Sequence, residues 1–118
     1  KDLYAFWRER VTARLTEELD GRRSPVVVNL ASNEYFGAVD AAALPGRIVT
    51  PVFKDAKNGQ YKIISFFAKK ARGAMASWIV RNRIRSADGL RAFAEDGYGL
   101  DEALTDAAPA GTLVFTRD

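Results

Sequence analysis

Apolar residues recur at every fourth position over the first nineteen residues of the chain. The recurring positions are Leu3, Trp7, Val11, Leu15 and Leu19. Charged residues stand between them, and this spacing places the apolar side chains on one face of a helix. Gly21 and then Pro25 follow, in the order typical of a helix end. The pattern therefore predicts an amphipathic helix that ends before Gly21.

A short apolar run over residues 25–30 contains three consecutive valines. β-branched residues favour strands, and a run of this length is typical of a buried strand. Directly after it, Ser32 or Asn33 can accept a backbone N–H as the cap of a short helix. The sequence therefore predicts a strand and then a helix over residues 34–39.

Two apolar segments, 47–55 and 60–66, flank the dipeptide Asn58-Gly59. Both residues of Asn-Gly accept a positive φ, and this dipeptide between apolar runs predicts an antiparallel hairpin. Pro51 has no N–H for a sheet ladder, so the first strand should lie at an edge or a bulge at this residue. A last strand is predicted over residues 112–115, after a loop.

A long helix is predicted from about Phe67 to Arg85 after a cap at Ser65, with a short helix near residues 88–94. One apolar face of the long helix consists of Ala68, Ala71, Met75, Trp78 and Ile79. A second face of mostly small residues consists of Gly73, Ala76, Val80 and Ile84. A helix that is apolar on two sides is expected to lie between two layers. We expect the second face to be exposed in this chain or covered by self-association.

These elements predict a mixed α/β (α+β) fold, in which an antiparallel hairpin and additional strands pack with a long two-faced helix and shorter helices. A length of 118 residues suits one domain with a buried core. The chain begins at Lys1 within amphipathic sequence, and we expect it to be part of a larger single fold.

Basic residues concentrate in the middle of the chain. Residues 54–91 carry ten of the 18 lysines and arginines against two acids, whereas residues 92–118 carry one base and six acids. This asymmetry indicates an anionic partner, and nucleic-acid phosphate is the first candidate. No apolar run is long enough to cross a bilayer and cysteine is absent, so we expect a cytoplasmic location and no membrane partner.

The chain contains neither histidine nor cysteine. Their absence excludes Ser-His-Asp and Cys-His catalytic systems and the ordinary zinc sites within this chain. A general base here would have to be Asp, Glu, Lys or Tyr. No cofactor, metal site or catalytic residue is predicted.

Three stretches of the sequence resemble a known family. They are residues 30–36 (LASNEYF), 51–55 (PVFKD) and 58–73 (NGQYKIISFFAKKARG). These stretches resemble signature segments of the YaaA family of bacterial peroxide-stress proteins, and residues 96–98 and 113–115 resemble that family's C-terminal end. The resemblance covers almost the whole chain but only about the C-terminal half of a family member. Residues 1–118 are therefore expected to be the C-terminal portion of a YaaA-like domain whose N-terminal half is absent.

The resemblance implies a cytosolic protein that protects cells from hydrogen peroxide and limits oxidative damage in a setting of iron toxicity. It also implies a mixed α/β fold that binds duplex and distorted DNA through a positively charged cleft. An element similar to a helix-hairpin-helix, associated with DNA binding, is implied for the N-terminal half of the family. The resemblance implies no enzymatic activity.

The candidate phosphate-binding residues are Lys62, Lys69, Lys70, Arg72 and Arg81. Three of them stand near the predicted start of the long helix, where backbone N–H groups also favour anions. Candidate cleft-lining residues follow the predicted valine-rich strand, a common ligand position in open α/β sheets. They are Asn33, Glu34 and Tyr35.

Each candidate also has a purely structural interpretation. The cations can be solvated charges at the margins of a packed helix, and residues 33–35 can serve as cap and packing. Tyr61, Phe66 and Phe67 could stack on unpaired bases, but aromatic residues on a hairpin are expected to belong to the core. Asp55 is expected to be a turn residue rather than a catalytic acid.

Three functions stay open from the sequence. The first is a stress protein that recognises DNA by backbone and shape, because no helix carries a clean face of base-reading side chains. The second is an enzyme acting on a phosphorylated or nucleotide substrate, with Lys69 or Lys70 as anion clamp and Glu34 as base. The third is a structural half of a larger fold whose basic faces meet an acidic segment.

Overall fold

The computed structural model describes residues 12–19, 22–30 and 47–118. The strands are β1 (Thr12–Leu19), β2 (Arg22–Asn29), β3 (Arg47–Lys57), β4 (Gln60–Lys62), β5 (Gly99–Leu100) and β6 (Thr112–Arg117). The helices are α1 (Ser65–Asn82), a 3-10 helix (Asp88–Ala92) and α2 (Glu102–Ala107). Strands and helices mix along the chain, which confirms the predicted α+β class.

The strands form one mixed sheet in the order β1-β2-β3-β6-β5, with β4 alongside β3. The central strands β2, β3 and β6 are parallel to one another. The outer pairs, β1 with β2 and β5 with β6, are antiparallel. β3 is the longest strand, and β4 folds back along its end as an antiparallel hairpin.

Pro51 lies in the middle of the central strand β3, yet it interrupts no described ladder. The N–H of Thr50 donates to the Gly111 carbonyl on the β6 side at 2.8 Å. Because successive backbone groups alternate in direction, the Pro51 nitrogen faces the opposite edge. On that edge the described pairing with β2 stops at Val49 and the pairing with β4 begins at Asp55. The missing N–H therefore falls between two partner strands, as the edge prediction requires.

The core lies between α1 and one face of the sheet. The buried residues of α1 are Ala68, Ala71, Met75, Trp78 and Ile79, which are the predicted first face. Phe93 packs edge to face against Trp78 of α1 at 5.3 Å between centroids, and against Phe53 and Phe115 of the sheet at 5.8 and 5.7 Å. Such aromatic pairs stabilise a core beyond their area alone.

The predicted N-terminal helix is wrong over its second half, because residues 12–19 form β1. Leu15 and Leu19 are four positions apart, and this even spacing satisfies the period of a strand as well as that of a helix. Pairing with the valine-rich β2 decides between them, since it supplies a ladder for both strands and buries Leu15. The rest of that predicted helix, and the predicted helix over 34–39, lie outside the described residues.

The Asn58-Gly59 turn is confirmed, with φ of 54° and 79° at its two residues. The second strand of the hairpin is shorter than predicted, because β4 ends at Lys62 and α1 already begins at Ser65. The predicted cap at Ser65 is wrong. Ile64 occupies the N-cap position, and no side chain caps this end of the helix.

α1 ends three residues earlier than predicted, at Asn82. Arg83 adopts the left-handed conformation, and the N–H of Ile84 donates to the Ile79 carbonyl at 3.1 Å. This pattern is a Schellman motif, in which a hydrophobic residue after the helix folds back on its last turn. Ile84 is half-buried against the core. It therefore does not extend the predicted second face, of which Gly73 and Val80 are exposed and Ala76 is half-buried.

Two elements, β5 and α2, were not predicted from the sequence. β5 has two residues, and α2 is a single short helix that begins after Asp101. The Asp101 carboxylate accepts the N–H of Leu104 at 2.9 Å and so caps α2. The predicted strand at residues 112–115 is confirmed as β6, which extends to Arg117. The predicted short helix near 88–94 is the 3-10 helix.

Candidate phosphate-binding surface

Three of the five candidate cations lie close together along the chain, where the hairpin leads into α1. Lys62 ends β4, and Lys69 and Lys70 lie in the second turn of α1, which begins three residues after Lys62. All three side chains are exposed, and none forms an ion pair with a residue in the described part of the chain. We call Lys62, Lys69 and Lys70 the basic face.

Asp55 is the cross-strand partner of Lys62, and Asp118 accepts the hydroxyl of Tyr61, but neither acid forms an ion pair with a lysine of this face among the described residues. The first turn contains no acidic residue and the helix has no side-chain cap. Residues 56–87 contain no acid at all. The N-terminal end of a helix carries a partial positive charge, so two lysines beside it raise the local positive potential further. An anion at this position would be favoured by all of these charges together.

The structure separates the other two candidates from the basic face. Arg72 is half-buried, and this burial lowers the pKa of its guanidinium below the usual arginine value. Arg81 lies eleven residues beyond Lys70, about 16 Å along the helix. Its guanidinium Nη2 donates to both carboxylate oxygens of Glu95, at 3.1 and 3.0 Å. Arg81 therefore already holds an anion from within the chain.

The aromatic residues at the same junction are more exposed than a core assignment allows. Phe66 is 72% exposed, Tyr61 39% and Phe67 38%, and the neighbouring Ile63 is 57% exposed. The expectation that these rings belong to the core is wrong, most clearly for Phe66. Phe66 and Phe67 lie in the first turn of α1 and not on the hairpin, because β4 already ends at Lys62.

The prediction that Asp55 is a turn residue is wrong, because it is a buried residue of β3. Its carboxylate connects β3 to Tyr98 and to Arg117 of β6. Its Oδ1 accepts the hydroxyl of Tyr98 at 2.6 Å, and its Oδ2 accepts Nε–H of Arg117 at 2.6 Å. Burial, followed by the hydrogen bond to Asp55, raises the pKa of Tyr98 to about 12. Tyr98 is therefore a neutral hydrogen-bond donor at every physiological pH.

Arg117 connects this buried carboxylate to the surface. Its guanidinium lies 4.4 Å from the ring centroid of Tyr98 and 5.0 Å from that of Phe67. Nη1 also donates to the Asp96 carbonyl at 3.2 Å. Cation–π contacts of this kind fix the orientation of the rings. The Asp55–Arg117–Phe67 contacts thus join β3, β6 and the first turn of α1.

The alternation of residues along β3 indicates that Asp55 is buried, although it does not identify the partners of Asp55. The inward positions of β3 alternate as Val49, Pro51 and Phe53, all of them buried. Asp55 is the next position in that series, and a carboxylate there requires a buried partner. The partner, however, is 62 residues away in sequence, so no local pattern identifies it.

Asn33, Glu34 and Tyr35 lie outside the described residues. Within the described ranges, no group of three or more acidic, histidine or cysteine side chains is arranged to hold a metal ion. No helix in those ranges is both long and apolar enough to cross a membrane.

Comparison with known proteins identifies the family. The family model described as "Peroxide stress protein YaaA" matches residues 1–104. A UPF0246 protein of Cellvibrio japonicus is 53% identical over 118 residues, which are 100% of this chain and 45% of that protein. UPF0246 proteins of Alteromonas mediterranea and Chromobacterium violaceum are each 52% identical over 118 residues, with 44% and 45% of their lengths covered. The chain thus spans less than half the length of these curated relatives. Because the family model matches most of its residues, the chain belongs to the peroxide stress protein YaaA family.

Proposed function

We propose that the protein acts in the peroxide-stress response by binding DNA through its basic face, within a positively charged cleft of the full-length protein in the cytosol. The observation that carries this proposal is the set of three exposed lysines that form no ion pair with any described residue. Lysines that only solubilise a helix are commonly interspersed with acids. Here the surrounding 32 residues, 56–87, contain none.

The chemistry of the face fits the phosphate backbone rather than base edges. Lysine offers a point charge with rotatable donors, which suits phosphate oxygens, whereas base edges are typically read by Arg, Asn and Gln. Arg81 and Arg117 already bind Glu95 and Asp55. The proposed recognition therefore depends on charge and shape and is the same for all DNA sequences.

The test measures the affinity of the full-length protein for a mixed-sequence DNA duplex over a series of salt concentrations. The combined variant Lys62→Gln, Lys69→Gln, Lys70→Gln removes three charges without removing an ion pair. Each lost phosphate contact should lower the slope of log affinity against log salt by about one unit. The triple variant should therefore lose up to about three units of slope for every DNA sequence tested.

Arg91→Gln is the matched control, because Arg91 belongs to the same basic segment but binds Glu102. It should leave the salt slope within about half a unit of wild type. A folded triple variant with unchanged affinity and slope would contradict the proposal. Binding of a small phosphorylated molecule, with little salt dependence and no binding of DNA, would support the enzymatic alternative instead.

A further inference from the structure

We infer that Phe66 is a stacking platform for an unpaired base of the bound DNA, whose phosphates lie on Lys69 and Lys70. This inference rests on the proposed function and specifies its ligand as DNA with accessible bases. It starts from the exposure of Phe66, which at 72% is the largest among the exposed aromatic rings of the described residues. A single exposed apolar residue is common on protein surfaces. The residues around Phe66 must therefore show whether its exposure serves a ligand.

Viewed along the axis of α1, Phe66 lies at an angle between those of Lys69 and Lys70. Lys69 and Lys70 follow Phe66 by three and four residues, so all three side chains share one face of α1 with Cβ atoms about 5–6 Å apart. One nucleotide spans a similar distance from its phosphate to its base. Gly73 continues the same face one turn later, and a Cβ built there would meet no atom within 4 Å. No described side chain therefore contacts this face of α1 at Gly73.

The Phe66 ring also contacts a neighbouring aromatic side chain. Phe67 meets Phe66 at 5.7 Å between centroids, with the two ring planes at 65°. Phe67 in turn lies under the guanidinium of Arg117, whose Nε–H is bound to the buried carboxylate of Asp55. The exposed ring thus contacts Phe67, which is linked through Arg117 to the buried carboxylate of Asp55. A ring held in place loses less conformational entropy when a base stacks on it.

Charge favours a nucleic acid over an apolar protein segment as the occupant of this face. An apolar partner would bring Lys69 and Lys70 out of water without compensation, which costs free energy. A DNA strand instead supplies phosphates for the lysines and a flat ring for Phe66. Single-stranded DNA is bound in this way by basic grooves with stacking aromatic side chains, with little dependence on sequence.

The experiment uses the full-length protein and two probes, a fluorescently labelled mixed-sequence single strand and the duplex of the same sequence. Phe66→Ala should lower the affinity for the single strand about tenfold, since loss of one base–aromatic stack costs on the order of 1–3 kcal/mol. The affinity for the duplex should change less than about twofold, because its bases are already stacked. Phe66→Trp should retain single-strand binding, and its indole fluorescence should be quenched by the single strand.

Val80→Ala is the matched control, because Val80 is exposed on the same side of α1 but lies fourteen residues from Phe66. It should leave both affinities unchanged. Thermal unfolding and light scattering of each variant complete the measurement. The proposal requires that Phe66→Ala retain the melting temperature and the oligomeric state of the wild type.

Three results would overturn the inference while leaving the proposed function intact. The first is that Phe66→Ala lowers the affinities for the single strand and the duplex equally. The second is that Phe66→Ala changes neither affinity, while the wild type binds DNA in a salt-dependent manner. The third is a lower melting temperature or a changed oligomeric state for Phe66→Ala, which would assign the ring to packing against another part of the protein or a second copy. Failure of the wild type to bind either probe would instead contradict the proposed function itself.

Discussion

At the scale of single residues, Asp55 determines how the end of β3 is joined to its neighbours. A buried carboxylate is stable only when it is fully hydrogen-bonded and paired. Asp55 satisfies this with Tyr98 on one oxygen and Arg117 on the other. The lysines of the basic face have no such partner among the described residues. The buried charge is thus paired within the fold, whereas the exposed lysines are the charges that we propose to bind DNA.

Asp55→Ala should therefore destabilise the protein strongly. It leaves Arg117, which is only 27% exposed, and the Tyr98 hydroxyl without their acceptor. The expected loss in the free energy of unfolding is about 2–4 kcal/mol, measured by urea denaturation. Glu102→Ala breaks the more exposed pair with Arg91 and should cost less than about 1 kcal/mol. Equal effects of the two substitutions would show that the Asp55 cluster is not a structural anchor.

Tyr98 gives the cluster a measurable dependence on alkaline pH. Its pKa is raised from 10.0 to about 12 in the folded protein, so between these values the unfolded chain loses a proton that the folded protein retains. Stability that is fully present below pH 10 is therefore lost as the pH rises towards 12. Relative to Tyr98→Phe, the wild type should lose up to about 1.4 kcal/mol of unfolding free energy per pH unit in this window. Parallel pH profiles for the two proteins would contradict the assignment.

At the scale of secondary-structure elements, two glycines with open surroundings have opposite roles. A Cβ at Gly59 or at Gly73 would meet no atom within 4 Å. Gly59 has a φ of 79° in the hairpin turn, a conformation that disfavours any other residue. Gly73 lies inside α1, where glycine is the weaker choice compared with alanine. The two glycines do not differ in steric contacts. They differ in backbone conformation, because only Gly59 has a positive φ.

Alanine substitution at the two sites should change stability in opposite directions. Gly59→Ala is expected to lower the free energy of unfolding by about 1 kcal/mol, because its φ becomes strained. Gly73→Ala should raise it by about 0.5–1 kcal/mol through helix propensity. Urea denaturation of both single variants and of the double variant tests this. The effects should add, since the residues share no contact partner.

At the scale of the whole molecule, the charges are segregated along the chain. The base-rich segment 54–91 forms the hairpin end and α1, and the acid-rich segment 92–118 forms β5, α2 and β6. Acids of the second segment bind arginines of the first, as in Arg81–Glu95 and Arg91–Glu102. The structural explanation of the basic segment therefore holds for these arginines. It does not extend to the lysines of the basic face.

The proposed function predicts a cellular consequence. In bacteria that lack their own copy of the gene, full-length protein with the triple substitution at Lys62, Lys69 and Lys70 should fail to restore survival in hydrogen peroxide. The Arg91→Gln protein should restore it. Survival is compared at equal protein levels determined by immunoblotting, because a lower level would reflect stability instead. Full rescue by the triple variant would show that the basic face is not needed for peroxide resistance.

Features that depend on local chemistry could be predicted from the sequence. Asn58-Gly59 specified the hairpin turn, the valine run specified β2, and the spacing of Ala68, Ala71, Met75, Trp78 and Ile79 specified the buried face of α1. Each of these depends on backbone preference or on the period of one element. The family was likewise evident from short stretches of sequence.

Contacts between residues that are distant in sequence could not be predicted in this way, because they depend on how the elements pack. The even spacing of Leu15 and Leu19 suits a helix or a strand, and pairing with β2 made it a strand. Asp55 acquired its role from Arg117, which is 62 residues away. Arg81 and Phe66 belong to the same helix as Lys69 and Lys70. Arg81 nevertheless pairs with Glu95, and Phe66 is exposed. Long-range contacts select among states that local preferences leave nearly equal in free energy, and for this reason the pattern of one segment could not predict them.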